Sequence, residues 1–160
     1  MSRDPSSFRI VRASLAHLDL VLPLFDAYRQ FYRLPSDLPR VRAYLSERLT
    51  RGECVIFLAV AGSESEPTPL GFTQLYPSFS SLSMAPLWIL YDLFVTPPAR
   101  RQGVAKALME RARQLALETG ADSLILETAM DNLSAQRLYE QLGYQRDVAY
   151  YRYSLRVEPA

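Results

Sequence analysis

The chain has 160 residues, with 18 basic and 17 acidic side chains and a formal net charge of +1, so we expect no nucleic-acid partner and no anionic membrane surface. No apolar run approaches the ~20 residues of a membrane-spanning helix, and no apolar stretch follows residues 1–5, so we expect a cytoplasmic protein. The single cysteine, Cys54, excludes an internal disulfide and a cysteine-based metal cluster; we expect no metal and interpret Cys54 as a small buried hydrophobic residue.

The first half of the chain places its apolar residues at spacings typical of strands and helices. The predicted elements are a strand over 8–12, a helix that Ser14 caps and that frays near Tyr28, a second helix that Ser36 or Asp37 begins and Gly52 ends, a strand over 54–61 and a strand over 70–76. The polar, proline-bearing residues 62–69 predict a mobile hairpin loop.

The second half of the chain alternates strands with helices. The predicted elements are a serine-rich loop over 77–86, a strand over 87–95, a helix from about 102 to 119, a strand over 123–128, a helix over 133–142 and a last strand over 148–155. Since no repeat and no internal boundary stands out, we expect a single domain over 1–160 with a mixed α/β sheet.

The junction between the strand that ends near Val95 and the helix after it is a candidate anion site. The first turn of a helix has backbone N–H groups without partners and lies at the positive end of the helix dipole, so a phosphate can bind there. Gly103 permits close approach, and Arg100 and Arg101 add charge. The spacing matches neither familiar nucleotide loop, and taken alone it is more typical of an ordinary basic surface turn.

A second motif follows about thirty residues later, at residues 132–144, NLSAQRLYEQLGY, with Asn132 placed to cap a helix and Gly143 placed to end it. Together the two motifs resemble the acetyl-CoA-binding half of the GNAT superfamily of N-acetyltransferases, clearly so over residues 87–155. The matching positions are Arg100, Gly103, Ala105, Asn132, Ala135, Tyr139, Gly143 and Tyr144. The resemblance implies the α/β GNAT fold, with a mixed central sheet of about six or seven strands and about four helices on its two faces.

The resemblance also implies acetyl-CoA as the cofactor, with coenzyme A as product. In the family the central strand pairs with the pantetheine arm, the turn holds the pyrophosphate and the second motif contacts the thioester end. The implied cofactor-binding residues are Leu93, Phe94, Val95, Arg100, Arg101, Gln102, Gly103, Val104, Ala105, Lys106, Asn132, Ala135 and Tyr139. Asn132 can cap its helix and contact the cofactor at the same time.

Tyr139 is the candidate general acid. It follows Ala135 by four positions and precedes Leu142 by three, which puts it on the inward face of its helix. A phenol with a pKa near 10 can protonate a departing thiolate while staying neutral itself at pH 7. The alternative is a core aromatic side chain with a hydrogen-bonded hydroxyl.

The general base is less well defined by the sequence. A Glu found on the central strand of some polyamine-acetylating relatives is replaced here by Tyr91. Asp92 is adjacent, but strand alternation points it to the opposite face, where it would orient backbone or a neighbouring Arg. Glu127 on the next strand can reach the cleft or lie exposed. We keep Tyr91, Asp92 and Glu127 as candidates and expect a water relay to contribute.

The acceptor side is predicted from the aromatic residues Tyr28, Phe31, Tyr32 and Tyr76, because the resemblance places these regions at the acceptor wall. Aromatic rings can hold a cationic or aromatic amine by stacking. For Phe31 a core position is at least equally expected. The acceptor classes that fit are a small molecule, a polyamine, an amino acid and a peptide lysine.

The sequence predicts acetyl transfer to a primary amine by direct attack on the thioester; the alternative is a catalytically weak acyl-CoA-binding or regulatory GNAT-like module. Aromatic residues on both faces of the predicted last strand, 148–155, need a cover. A second copy of the chain would cover these residues, so we expect a homodimer whose interface includes this strand. A larger version of the same interface also includes the 77–86 loop.

Overall fold

A five-stranded mixed sheet lies at the centre of the part of the chain that the computed structural model describes, residues 7–158. The elements in chain order are β1 (Phe8–Arg12), α1 (Leu18–Phe31), α2 (Leu38–Thr50), β2 (Val55–Gly62), β3 (Pro67–Ser80), β4 (Ala85–Val95), α3 (Val104–Glu118), β5 (Ser123–Leu126) and α4 (Leu133–Gln141). Single 3-10 turns at Leu15–His17 and Pro97–Ala99 precede α1 and α3. By its contacts the chain divides into two units, Met1–Glu127 and Thr128–Ala160.

The strands lie in the order in which they occur in the chain, β1-β2-β3-β4-β5. The first four are antiparallel neighbours, and β5 runs parallel to β4. The α/β class, the mixed sheet and four helices are therefore confirmed, but the predicted six or seven strands are wrong for the described residues.

The predicted last strand accounts for part of this difference. Residues 148–155 form no strand, and their side chains are exposed. The sequence of these residues alternates as in a strand, but a segment forms a β-strand only when a neighbouring strand hydrogen-bonds with its backbone N–H and C=O groups.

The predicted serine-rich loop over 77–86 is also wrong. β3 runs on to Ser80 and pairs through to Ala85 at the start of β4, so only residues 81–84 turn. Pro77 and the serines lowered the strand propensity of the sequence, but pairing across the hairpin overrides that preference. The loop between β2 and β3 is likewise shorter than predicted, because β2 ends at Gly62 and β3 begins at Pro67.

The two faces of the sheet are covered by different helices. On one face, apolar residues of α1 and α2 pack with Ile56, Leu58, Phe72 and Phe94 to form the hydrophobic core. On the other face, α3 buries Leu108, Ala112 and Leu115, and its Arg111 lies 4.5 Å from the ring centroid of Phe57. The site described below lies on the α1 and α2 face.

The predicted helix starts are confirmed. Asp37 caps α2 by accepting from the Arg40 backbone N–H at 3.1 Å. Ser14 caps the first turn in a reciprocal capping box with His17, whose Nδ1 accepts from the Ser14 backbone N–H at 3.0 Å. The predicted fraying near Tyr28 is wrong, since α1 continues to Phe31.

Candidate active site

A β-bulge in the middle of β4 decides which side chains reach the α1 and α2 face. Gln74 of β3 pairs with Asp92 and Leu75 pairs with Leu90, so Tyr91 is the extra residue on β4. Tyr91 is 58% exposed, while Asp92 is only 4% exposed. The bulge breaks the alternation on which the sequence prediction for Asp92 depended, so a residue expected to lie apart from Tyr91 contacts the same group of aromatic side chains.

Asp92 is a buried carboxyl group that accepts a hydrogen bond from the hydroxyl of Tyr28 on α1. Burial raises the pKa of Asp92 to about 6, against the hydrogen bond from Tyr28, which lowers it. The expected pairing with an Arg is wrong, because no ion pair to Asp92 is present within residues 7–158. A carboxyl group with this pKa is poised to exchange a proton near neutral pH.

A separate chain of hydrogen bonds runs from Gln74 toward α2. Gln74, opposite Asp92, donates its Nε2 to the Tyr76 hydroxyl at 2.7 Å, and the Tyr76 and Tyr44 hydroxyl oxygens are 2.6 Å apart. Burial and the bond with Tyr44 raise the pKa of Tyr76 well above its usual range. Burial and the Asp92 charge do the same for the pKa of Tyr28. We call Tyr28, Tyr44, Gln74, Tyr76 and Asp92 the polar cluster.

An exposed aromatic surface lies beside the polar cluster. The Tyr32 ring packs edge-on against Tyr28 at 5.1 Å and against Phe31 at 5.3 Å, and Tyr91 packs edge-on against Tyr76 at 5.5 Å. The expectation that Phe31 belongs to the core is wrong, since this side chain is 60% exposed. We call Phe31, Tyr32 and Tyr91 the aromatic surface; four of the predicted residues form two ring pairs, Tyr28 with Tyr32 and Tyr76 with Tyr91.

The sequence analysis missed Gln74 and Tyr44. Gln74 lies in the buried middle of β3, between Thr73 and Leu75, and is 0% exposed. A long polar side chain at a buried strand position is a usable signal, because burial requires it to have hydrogen-bond partners. Tyr44 gives no such signal, since an aromatic residue on a helix face is ordinary.

The end of β4 has an open edge. β5 pairs with β4 only from Leu87 to Leu90, so within the described residues no strand lies beside Tyr91–Val95 on that side. On the other side Leu93, Phe94 and Val95 pair with Thr73, Phe72 and Gly71 of β3. Glu127 follows directly after β5 and is exposed.

In the turn between β4 and α3, Gly103 stands at φ +80° immediately before α3 begins at Val104. Arg101 is also left-handed, at φ +60°. Arg100 donates its Nε to the Val95 carbonyl at 3.0 Å, and Gln102 donates its Nε2 to the Pro98 carbonyl at 2.9 Å. Arg101 and Lys106 are exposed, whereas Arg100 is anchored to the end of β4.

In the second unit, Asn132 caps α4, its Oδ1 accepting from the Ala135 backbone N–H at 3.3 Å, as predicted. Gly143 stands at φ +91° just after the helix, also as predicted. Tyr139 is half-buried, and its ring lies 6.1 Å from that of Tyr144.

Cys54 is buried, and burial raises the pKa of its thiol to about 11. A thiol in that state is a poor nucleophile at neutral pH. Residues 7–158 hold no group of three His, Cys, Asp or Glu side chains arranged to bind a metal ion, and none of their helices has the length and apolarity to cross a membrane.

Comparison with known proteins identifies the family. Residues 21–144 match the profile of the Acetyltransferase (GNAT) family. The chain is 43% identical over 148 residues to the uncharacterised N-acetyltransferase YhfO of Bacillus subtilis, covering 92% of this chain and 97% of that one. It is 46% identical to a probable acetyltransferase of known crystal structure, with a TM-score of 0.86 over 95% of this chain and 99% of that one.

A more distant structure shares the fold alone. The aminoglycoside N-acetyltransferase AAC(6')-Iy in complex with CoA is 20% identical, with a TM-score of 0.78 over 98% of this chain and 100% of that one. The family profile and the two relatives above 40% identity show that the chain belongs to the GNAT acetyltransferase family and is an acyltransferase.

Proposed function

We propose that this enzyme is an acetyl-CoA-dependent N-acetyltransferase that moves an acetyl group to a primary amine by direct attack on the thioester. One observation carries the proposal: a buried carboxyl group, Asp92, lies at a bulge beside the open edge of β4. A strand edge with free backbone groups can hold an extended chain such as pantetheine, and the carboxyl group beside it can take a proton from the amine.

The proposed cofactor site combines the open edge with the turn before α3. Leu93, Phe94 and Val95 would bind the pantetheine arm through their backbone, and the amide groups from Arg101 to Lys106 would bind the pyrophosphate. The turn fits a bulky anion, because no heavy atom lies within 4 Å of the position that a Cβ would take on Gly103. The complex of AAC(6')-Iy with CoA supports this choice of cofactor by analogy of fold.

The proposed chemistry assigns one proton transfer to each end of the reaction. An alkyl ammonium group with a pKa near 10.4 is neutral only about once in 2,500 at pH 7, a cost of about 4.6 kcal/mol. Asp92, directly or through a water, takes that proton, and the neutral nitrogen then forms its bond to the thioester carbonyl carbon. As the carbon–sulfur bond breaks, Tyr139 gives its hydroxyl proton to the sulfur, and the surplus proton on the new amide nitrogen passes through water to restore the Tyr139 hydroxyl. Tyr91 and Glu127 are the alternative bases and Asn132 the second contact at the thioester end.

The acceptor that fits best is a small amine with an apolar or aromatic body, or one that carries its own carboxylate. The aromatic surface offers rings, and the nearby Arg29 and Arg33 are positive. Asp26 and Asp92 are both buried, and the half-buried Asp37 accepts from the Arg40 backbone N–H as the cap of α2. A polycation such as the aminoglycosides that AAC(6')-Iy is named for would find only Asp37 among these three carboxyl groups accessible.

The function is tested by incubating the purified chain with acetyl-CoA and a panel of primary amines, following thiol release and the mass of the acetylated product. Amine-dependent thiol release with a matching mass gain of one acetyl group is expected. Binding of acetyl-CoA without turnover for any amine would contradict the proposal and favour a binding module.

The aromatic surface is expected to determine which amines are accepted. Tyr32→Ala should change the relative kcat/KM among amines at least tenfold, because it removes one stacking ring, while acetyl-CoA hydrolysis without an amine stays unchanged. Leu117→Ala on α3, also a change at an exposed apolar side chain, is the control and should alter nothing. An unchanged order of preference in the Tyr32 variant would contradict this role.

Tyr139→Phe should lower kcat by about 10²-fold or more with little change in the KM for acetyl-CoA, because a proton donor is lost while the ring remains. Steady-state kinetics with both substrates varied checks this prediction. Tyr144→Phe, on the neighbouring ring, is the matched control and should keep its kcat. Full turnover in the Tyr139 variant would assign the acid to water or another group.

We also propose a homodimer. Phe79, Leu82 and Met84 are exposed around the β3–β4 turn in the first unit, and Tyr151 and Leu155 are exposed in the second. Large exposed apolar groups are typical of association surfaces, and two-fold dimers are the commonest closed assembly. Light scattering at micromolar concentration should give twice the 18.2 kDa chain mass. A monomer at that concentration would contradict the dimer.

A further inference from the structure

We propose that Gln74 sets the proton affinity of Asp92, because its side-chain oxygen accepts a hydrogen bond from the carboxyl group whenever that group is protonated. Gln74 is then a positioning residue, which acts through Asp92 and does not touch the substrates. The catalytic meaning of this proposal depends on the proposed role of Asp92 as base, whereas the hydrogen bond itself does not.

The register of the sheet brings the two side chains together. Gln74 and Asp92 are directly paired across β3 and β4. Residues paired in this way point to the same face, with Cβ atoms about 4.5–5.5 Å apart. Both side chains are almost completely buried, so water competes little for their polar atoms.

The two ends of the Gln74 amide differ in their partners. Its Nε2 donates to the Tyr76 hydroxyl, which is itself bonded to the Tyr44 hydroxyl. Its Oε1 is buried and has no hydrogen-bond partner within residues 7–158. A buried acceptor without a donor destabilises the folded protein, because it has lost its hydrogen bonds to water and gained none in return. A protonated carboxyl group has an O–H to donate and an ionised one has none, so protonation of Asp92 supplies the missing donor.

The other groups that face Asp92 do not supply this donor. Tyr28 from α1 bonds the carboxyl group and stabilises its ionised form, the opposite of the effect proposed for Gln74. Burial and, to a smaller extent, the Asp92 charge raise the pKa of Tyr76 from β3 and of Cys54 just before β2. Arg48 and Glu53 lie near Cys54 and pair with each other at 2.8 Å. Tyr91 on β4 packs against Tyr76.

The test is Gln74→Met, which keeps the length of the side chain and removes its hydrogen bonds. The titration of the Asp92 carboxyl carbon is followed by NMR in the full-length protein, assigned through Asp92→Asn. Loss of one hydrogen bond to the protonated form should lower the pKa of Asp92 by about 0.7. The acid limb of the pH profile of kcat/KM should move to lower pH by the same amount. Thr119→Val, which removes a part-buried hydroxyl at the C-terminal end of α3 that has no contact with Gln74 or Asp92, should leave both unchanged.

An unchanged pKa in Gln74→Met would overturn the proposal. A raised pKa would also overturn it, because it would mean that the amide donates to the ionised carboxylate. A lowered NMR pKa without a matching change in the pH profile would support the hydrogen bond and reject Asp92 as the base. If Gln74→Met does not fold, Tyr76→Phe replaces it, since the amide then loses its anchor and a smaller fall in pKa is expected; no fall would again overturn the proposal.

Discussion

Asp92→Asn is expected to make the protein slower and more stable at the same time. The rate of acetyl transfer at pH 7.5 should fall by about 10²- to 10⁴-fold, because the variant retains the shape of the side chain but not its basicity. The stability gain follows from the pKa, which burial raises to about 6 in the folded protein from the ordinary aspartate value of 3.8. The folded state therefore holds the proton more tightly than the unfolded chain.

The sign of this effect sets the pH window. Stability is lost as pH rises from about 4 through 6, because folding at higher pH requires a buried carboxylate. At pH 7.5 the buried carboxylate costs the wild type about 3 kcal/mol of stability, as a pKa difference of about 2 implies. The stability gained by Asp92→Asn cannot exceed this cost. Urea unfolding at pH 7.5 and pH 4 should show the gain at the higher pH alone. Asp122→Asn, at an exposed carboxyl group, is the control; equal stability of Asp92→Asn and wild type at pH 7.5 would contradict the account.

Gly103→Glu should raise the KM for acetyl-CoA steeply and leave the KM for the amine unchanged. The substitution places a carboxylate beside the amide groups that are proposed to bind the pyrophosphate. Repulsion between two charges about 4 Å apart costs about 1 to 4 kcal/mol near a protein surface, which is roughly a fivefold to several-hundredfold loss of affinity.

The matched control is Gly103→Gln, because both variants force a side chain onto a residue at φ +80°. A non-glycine residue in this conformation costs about 1–2 kcal/mol in either case, so only the charge differs. Steady-state kinetics with acetyl-CoA varied at saturating amine separates the two. Equal KM values for the Glu and Gln variants would place the pyrophosphate elsewhere.

The sequence was sufficient where local chemistry decides the structure. Asp37 and Asn132 cap their helices, and Gly143 occupies the left-handed conformation that its place after the helix predicts. Each of these features depends on residues within one turn of each other. The ring contact between Tyr28 and Tyr32 is equally local, because the two residues lie four positions apart at the end of α1.

The remaining features depend on pairing between distant segments. The bulge at Tyr91 is set by the register of β3 against β4, and nothing within β4 itself marks it. Because of the bulge, Asp92 lies buried near Tyr28 although alternation pointed it away. The place of Gln74 opposite Asp92 follows from the same register, and the extension of β3 to Ser80 follows from its pairing with Ala85.

The most direct test of the central claim is the pH dependence of amine-dependent thiol release by wild type and Asp92→Asn. A general base must be ionised to act, so kcat/KM for the amine should rise through the pKa of Asp92, about 6, in the wild type. The residual activity of the variant should lack this limb. The same limb near pH 6 in both proteins, or thiol release that does not require an amine in the wild type, would contradict Asp92 as the base of an N-acetyltransferase.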